Sequence, residues 1–250
     1  MSKTRVIARL DIKNNHVIKG IQLEGLRKIG DPHGLALHYY QQGADEIFFM
    51  DAVASLYDRN TLHSIIERAC KEVFIPLTVG GGIRTLSDIH KCLESGADKI
   101  AINTQALKDP HLITEGSRLF GSQCIVGSIE SKRRHDDWEC YTANGREPSG
   151  KKVIDWALEL QERGAGEIFL TSVDRDGTQS GFEKDLIETV AETLTIPLVI
   201  SGGAGNLSHF DSLKDLPYGG VALGSILHYN LSSVAAIKKT LQDLGHRVRT

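Results

Sequence analysis

The chain has 250 residues, 40% of them hydrophobic, and a formal net charge of −3. That size suits one large α/β barrel with a sizeable core, the small charge gives no general attraction to nucleic acid or membrane, and no apolar run reaches the roughly 18 residues of a membrane span. Cys70, Cys92, Cys124 and Cys140 form no CxxC pair and no metal-ligand spacing with histidine, and MSKTRVIARLD at the start lacks a secretory h-region, so a soluble cytoplasmic protein without metal, cofactor or disulfide framework is expected.

Eight β-type runs alternate with helix-type segments, the pattern of βα units with parallel strands. The first run, 5–11, leads into a connection from Lys13 to Pro32 that is longer than a barrel needs. With Lys19, Gly20, Gly25, Arg27, Lys28 and Gly30 it is basic and flexible, suited to act as a lid over an anion. The second run is 46–51, after which Leu62, Ile65, Ile66, Ala69 and Val73 fall at helical spacing and predict one apolar face. The third strand is expected at 75–80. Its helix has capping-box spacing between Thr85 and Asp88, an apolar stripe of Leu86, Ile89, Cys92 and Leu93, and Gly96 at the C-terminal cap. Strands four and five are expected at 99–103 and 124–130. A second long connection follows, Ser131 to Gly150, whose alternating DDWECYTANGRE with an Asn144-Gly145 turn predicts a β-hairpin. Lys132, Arg133 and Arg134 at its base read as a solvated cluster rather than a nucleic-acid patch. The last three strands are expected at 167–172, 196–201 and 221–224.

Much of 75–104 recurs at 196–225. Pro76 pairs with Pro197, Gly81 and Gly82 with Gly202 and Gly203, and Thr104 with Ser225, all at an offset of 121 residues. The same offset relates GADEIFF at 43–49 to GAGEIFL at 164–170, and an offset of 119 aligns Leu10, Asp11 and Lys13 with Ile129, Glu130 and Lys132. The chain therefore reads as one domain over 1–250, a (βα)8 TIM barrel built from two similar (βα)4 halves, about 1–122 and 123–250.

Chemistry in such a barrel belongs where the strands end. Helix N-termini concentrate partial positive charge, and glycine lets a phosphate approach their N–H groups. Two copies of a glycine cluster with a hydroxyl residue, Gly80-Gly81-Gly82 with Asn103-Thr104 and Gly202-Gly203-Ala204-Gly205 with Gly224-Ser225, predict two phosphate sites on opposite sides of the rim. Between them stand Asp11 and Glu130 on strands one and five, a carboxylate pair placed for general acid and base work; a structural pairing with Lys13 or Lys132 is the plainer alternative. At the other rim Arg5, Glu46, Lys99 and Glu167 begin strands one, two, four and six, either as a satisfied plug or as a gate to a passage along the axis.

With these features, and the stretches VGGGI, GADK, INT, RGAGEI, DRDGT and SGGAG, the whole sequence resembles the cyclase-subunit (HisF) family of imidazole glycerol phosphate synthase. The resemblance implies a barrel that uses ammonia from a glutaminase subunit docked at its N-terminal floor as a heterodimer. Its substrate would be a bisphosphate ribulosyl-formimino aminoimidazole carboxamide ribotide, converted to imidazole glycerol phosphate and the carboxamide ribotide in histidine biosynthesis. It implies Asp11 as one acid/base, with Glu130 in the other's place, and Lys19 on the mobile loop. Gly82, Asn103 and Thr104 would hold one phosphate, while Asp176, Gly177, Gly203, Gly224 and Ser225 line the side of the other. Arg5, Glu46, Lys99 and Glu167 match the family's ammonia gate, and Asp98 a position that docks the glutaminase. The gate separates this family from the isomerase of the preceding histidine step, which takes no ammonia.

Three departures stand out. Glu130 occupies a position where the family ordinarily has aspartate. Arg9 shares the strand parity of Arg5 and Asp11, so it should point into the barrel and find a carboxylate, with Glu130 the candidate. The lid reads IQLEGLRKIGDP rather than the family's asparagine-containing version. Such departures are similar to a side branch of the family that passes ammonia to an amidotransferase acting on a surface-polysaccharide sugar; a non-catalytic ammonia conduit or scaffold is a third reading.

Overall fold

A computed structural model describes residues 3–54 and 62–249. Among them are twelve strands in one sheet: β1 (Arg5–Lys13), β2 (His16–Ile21), β3 (Glu24–Gly30), β4 (Glu46–Asp51), β5 (Leu77–Gly80), β6 (Lys99–Ile102), β7 (Ile125–Arg134), β8 (Asp137–Thr142), β9 (Glu147–Lys152), β10 (Glu167–Ser172), β11 (Leu198–Ser201) and β12 (Gly220–Leu223). β1, β4, β5, β6, β7, β10, β11 and β12 are parallel and in that order, and β12 pairs back onto β1 with Arg5 opposite Gly220. The sheet therefore closes as a (βα)8 barrel, with strands at all eight expected places. β5 and β11 each begin two residues late, after Pro76 and Pro197, whose nitrogens cannot donate to a ladder.

Alternation along β1 separates two layers. Val6, Ala8 and Leu10 join the cluster between strands and helices, while Ile7 joins Phe48, Met50, Ala101, Val126, Phe169, Val199 and Ala222 inside the barrel. The Phe48 and Phe169 rings meet there at 4.3 Å. Burying each contributes roughly 1.5–3 kcal/mol, so this apolar plate fixes the barrel's waist. Polar side chains of the same parity lie above and below it.

The helix Leu86–Glu94 carries the expected reciprocal cap, Thr85 and Asp88 each bonding the other's backbone, and Gly96 follows its end at φ 109°. Ile89 and Cys92 of its stripe are buried. The basic connection after β1 is more regular than the flexible lid expected for it: β2 pairs antiparallel with β1, and β3 with β2. β7, β8 and β9 form a corresponding antiparallel ribbon on the fifth barrel strand, including the expected hairpin. On that ribbon Lys132 lies over the Tyr141 ring, Arg133 over the Trp138 ring, and Arg134 pairs with Glu139, as a solvated face would. Among the described residues Cys70, Cys92, Cys124 and Cys140 form no disulfide, and no helix is long and apolar enough to cross a membrane.

Candidate active site

Asp11 ends the inward row of β1, and both of its oxygens meet cations. Arg9 Nε donates to Asp11 Oδ1 at 2.8 Å, and Lys19 Nζ lies 3.4 Å from Oδ2. Arg9 thus finds a carboxylate inside the barrel as expected, but the partner is Asp11 rather than the candidate Glu130, because two residues apart on one strand share a face, whereas Glu130 stands across the barrel on β7. Arg9 itself is 3% exposed, with its guanidinium also donating to Thr171 Oγ1 at 3.0 Å and Ser201 Oγ at 3.2 Å. Burial alone would raise the Asp11 carboxyl. The Arg9 and Lys19 charges reverse that and hold it below the usual carboxylate range.

Glu130 has different surroundings. Its Oε2 accepts the Gly145 backbone N–H at 2.7 Å, a neutral donor from the β8–β9 turn. Burial pushes this carboxyl up to about 7, against the Gly145 N–H and the more distant Arg9 charge. Two carboxylates at one mouth are thus driven apart in acidity by their neighbours.

The repeat shows itself in backbone geometry. Gly81 and Gly202 take φ 95° and 104°, and a methyl group on either would come within 2.4 and 2.6 Å of the carbonyl oxygens of Asp51 and Ser172. Only glycine lets these loops fold so tightly against the preceding strand ends. The residues opening the next short helices match more closely still: Asn103 has φ −113°, ψ −84°, and Gly224 has φ −115°, ψ −84°. Neither gives a side-chain cap, so the first-turn N–H groups of both helices face the mouth for another acceptor.

Each cradle borders its own cavity. One, of about 100 Å³, is lined by Gly82, Asn103, Thr104 and Glu130. The other is a crevice of about 20 Å³ between Lys19, Asp176, Gly177, Gly203, Gly224 and Ser225. Among the described residues Asn103 Oδ1 and Ser225 Oγ are buried polar atoms without a hydrogen-bond partner, one in each place. A buried polar group left so is an invitation to a ligand or water.

At the opposite rim Arg5 pairs with Glu46 at 2.7 Å and with Glu167, and Lys99 pairs with the same two carboxylates at 2.9 and 3.3 Å. The four residues form a closed ring of alternating charge across the barrel floor. Asp98 is exposed beside it, its Oδ2 accepting the Leu77 N–H at 2.8 Å.

Three participants escaped the sequence reading. Asn144 and Gly145 were legible as a turn, but not as a cover over the mouth: Asn144 Nδ2 donates to Leu23 O at 3.2 Å, joining the two ribbons. His228, on the short helix Ser225–His228, has Nε2 3.1 Å from Arg9 O and Nδ1 2.8 Å from the Tyr39 hydroxyl. A carbonyl only accepts, so Nε2 carries the proton; burial and then the Lys19 charge push His228 down to about 4 and keep it neutral. Its only sequence signal was proximity to Ser225.

Residues 5–233 match the histidine biosynthesis protein family. The chain is similar to the imidazole glycerol phosphate synthase subunit HisF of Legionella pneumophila, at 53% identity over 84% of this chain and 100% of that one. It is similar to the HisF subunit of Gluconacetobacter diazotrophicus, at 44% over 100% of this chain and 97% of that one, and of Myxococcus xanthus, at 43% over 100% and 99%.

Proposed function

We infer the activity from one premise: the chain belongs to the histidine biosynthesis protein family and, within it, to the HisF cyclase subunits of imidazole glycerol phosphate synthase. As such a subunit it is an enzyme that converts the bisphosphate ribulosyl-formimino aminoimidazole carboxamide ribotide and ammonia into imidazole glycerol phosphate and aminoimidazole carboxamide ribotide. The observation that carries the site assignment is the pair of uncapped helix starts with near-identical backbone angles, one on each side of Asp11 and Glu130. A substrate with a phosphate at each end would span them, held at one end by Gly82, Asn103 and Thr104 and at the other by Gly177, Gly203, Gly224 and Ser225. Its reacting atoms would then lie between the two carboxylates. One of these takes the proton that the nitrogen nucleophile releases, and the other protonates the ketose oxygen as ammonia condenses there.

The second crevice has room for about one water, so entry of a phosphate requires the β2–β3 ribbon and Lys19 to lift. That gives Lys19 the role of a latch that re-forms over bound substrate. The half-barrels, 1–122 and 123–250, each supply one cradle and one carboxylate. A glutaminase docks at the floor, against Asp98, and the ring of Arg5, Glu46, Lys99 and Glu167 gates ammonia toward the mouth. Cysteines held as thiols rather than disulfides support a reducing cytoplasm.

Release of aminoimidazole carboxamide ribotide from the bisphosphate under saturating ammonium, without a glutaminase, tests this reading. Turnover by the purified chain is expected. Tight binding of the bisphosphate without turnover, with activity appearing in Glu130→Asp, would favour the second reading, a barrel retuned to pass ammonia to a sugar amidotransferase. The observation behind that alternative is Arg9, whose charge sits inside the barrel above the Phe48–Phe169 plate. Absence of turnover in both proteins would leave a scaffold.

A further inference from the structure

We propose that Arg9 is a positioning residue that makes Asp11 the proton acceptor of the carboxylate pair and leaves Glu130 as the proton donor. This rests on the reading of those two groups as the proton-transferring pair.

Arg9 is held on every side. Its carbonyl accepts from His228 Nε2, its guanidinium is anchored by Thr171 on β10 and Ser201 on β11, and its Cζ lies 5.8 Å from the centre of the Phe169 ring. These contacts leave Nε aimed at Asp11 Oδ1, at 2.8 Å. A lysine there could supply charge but not this fixed fork. The groups facing Asp11 are Arg9 on its own strand, Lys19 from β2, Asp176 from the loop after β10, His228 from the helix after β12, and Glu130 from β7; in register on β4 is the uncharged Met50. Of these Lys19 is divided, 2.6 Å from Asp176 and 3.4 Å from Asp11, and travels with a ribbon that must lift. His228 is neutral. Arg9 is therefore the cation that stays with Asp11 whether the mouth is open or closed.

Glu130 Oε2 accepts the neutral Gly145 N–H at 2.7 Å, and its other near donor is the neutral Asn103 side-chain amide. The pair thus enters the reaction with one carboxylate and one carboxylic acid. Asp11 takes the proton released by the nitrogen nucleophile, Glu130 gives its proton to the developing hydroxyl oxygen, and the pair holds one proton before and after the exchange. The longer glutamate fits this division, because it reaches the β8–β9 turn and not the guanidinium.

Carboxyl carbon NMR on protein labelled in its Asp and Glu side chains follows both groups without requiring turnover, with Asp11→Asn and Glu130→Gln identifying the resonances. In the wild type Asp11 should titrate below the free carboxylate range and Glu130 near neutrality. In Arg9→Met the Asp11 midpoint should rise by about one pH unit or more. The acidic limb of kcat/KM with ammonium should move the same way, kcat falling more than KM changes. Arg9→Lys should lie between the two. An Asp11 midpoint unchanged in Arg9→Met, or a loss of rate equal at every pH, overturns the proposal; if Arg9→Met does not fold, Arg9→Gln, uncharged but able to reach the hydroxyls, takes its place. A wild type without turnover would overturn the functional reading instead, and the NMR comparison would still decide the role of Arg9.

Discussion

Lys19 Nζ stands 2.6 Å from Asp176 Oδ1, across 157 residues of sequence, and ties the β2–β3 ribbon to the loop after β10. The Gln22 N–H donates to the Asp176 carbonyl at 2.7 Å, so the ribbon is pinned twice at one residue. Lys19→Met leaves two buried carboxylates without their ammonium, which in a buried pair costs roughly 3 kcal/mol. Because the ribbon can lift, that cost should appear as local opening. Amide exchange in β2 and β3 should accelerate at least tenfold while that of β10 to β12 is unchanged, and Lys19→Met with Asp176→Asn should lose less than the sum of the two.

Gly177 makes a tighter contact with the same ribbon. A methyl group on it would stand 2.1 Å from Gly20 O, and its φ of 72° is already unfavourable for an L side chain. Gly177→Ala should therefore push the ribbon off the mouth and raise KM for the bisphosphate at least tenfold. Gly25→Ala is the control: φ is 62° there but nothing lies within 4 Å, so only about 1 kcal/mol of backbone strain and little change in KM are expected.

The floor ring yields a separate prediction. Removing Arg5 leaves Lys99 as the cation that Glu46 and Glu167 share among the described residues, with Glu46 almost fully buried and still accepting the Thr78 hydroxyl. The Arg5 side chain is 23% exposed, so the loss is smaller than for a fully buried pair, about 1–3 kcal/mol in denaturant unfolding of Arg5→Ala. If the ring gates ammonia, glutamine-driven turnover in the complex should fall further than ammonium-driven turnover. Equal falls in both rates would make it a structural plug.

The barrel was legible because its signals are local: alternating apolar runs, the Thr85 cap, and a repeat that survives in Gly81 and Gly202. The rim residues followed from strand ends. What escaped depends on contacts between distant segments. Gly145 contributes a backbone N–H, which no residue type announces, and the union of the two ribbons through Asn144 and Leu23 requires their relative placement. Arg9 was correctly turned inward by parity, but the choice between Asp11 and Glu130 needed the reach of a side chain held by Thr171 and Ser201.

Glu130 makes the stability of the chain depend on pH in a direction that can be stated. Burial pushes its carboxyl from an ordinary 4.5 up to about 7. With the folded value above the unfolded one, its contribution is fully present below about pH 4.5 and is lost as pH rises through 7, because the unfolded chain releases the proton that the folded chain retains. The loss is on the order of 3 kcal/mol when complete. Glu130→Gln keeps an oxygen for Gly145 but has no proton to lose, so its stability relative to wild type should improve by roughly 2 kcal/mol between pH 5 and pH 8 in denaturant unfolding. His228 titrates in both proteins and cancels in the difference. The same proton governs activity: as the acid of the pair, Glu130 should make kcat/KM fall above about pH 7. A stability difference that stays flat from pH 5 to pH 8 would mean that Glu130 is ionised throughout, and the acid would then have to be sought elsewhere in the mouth.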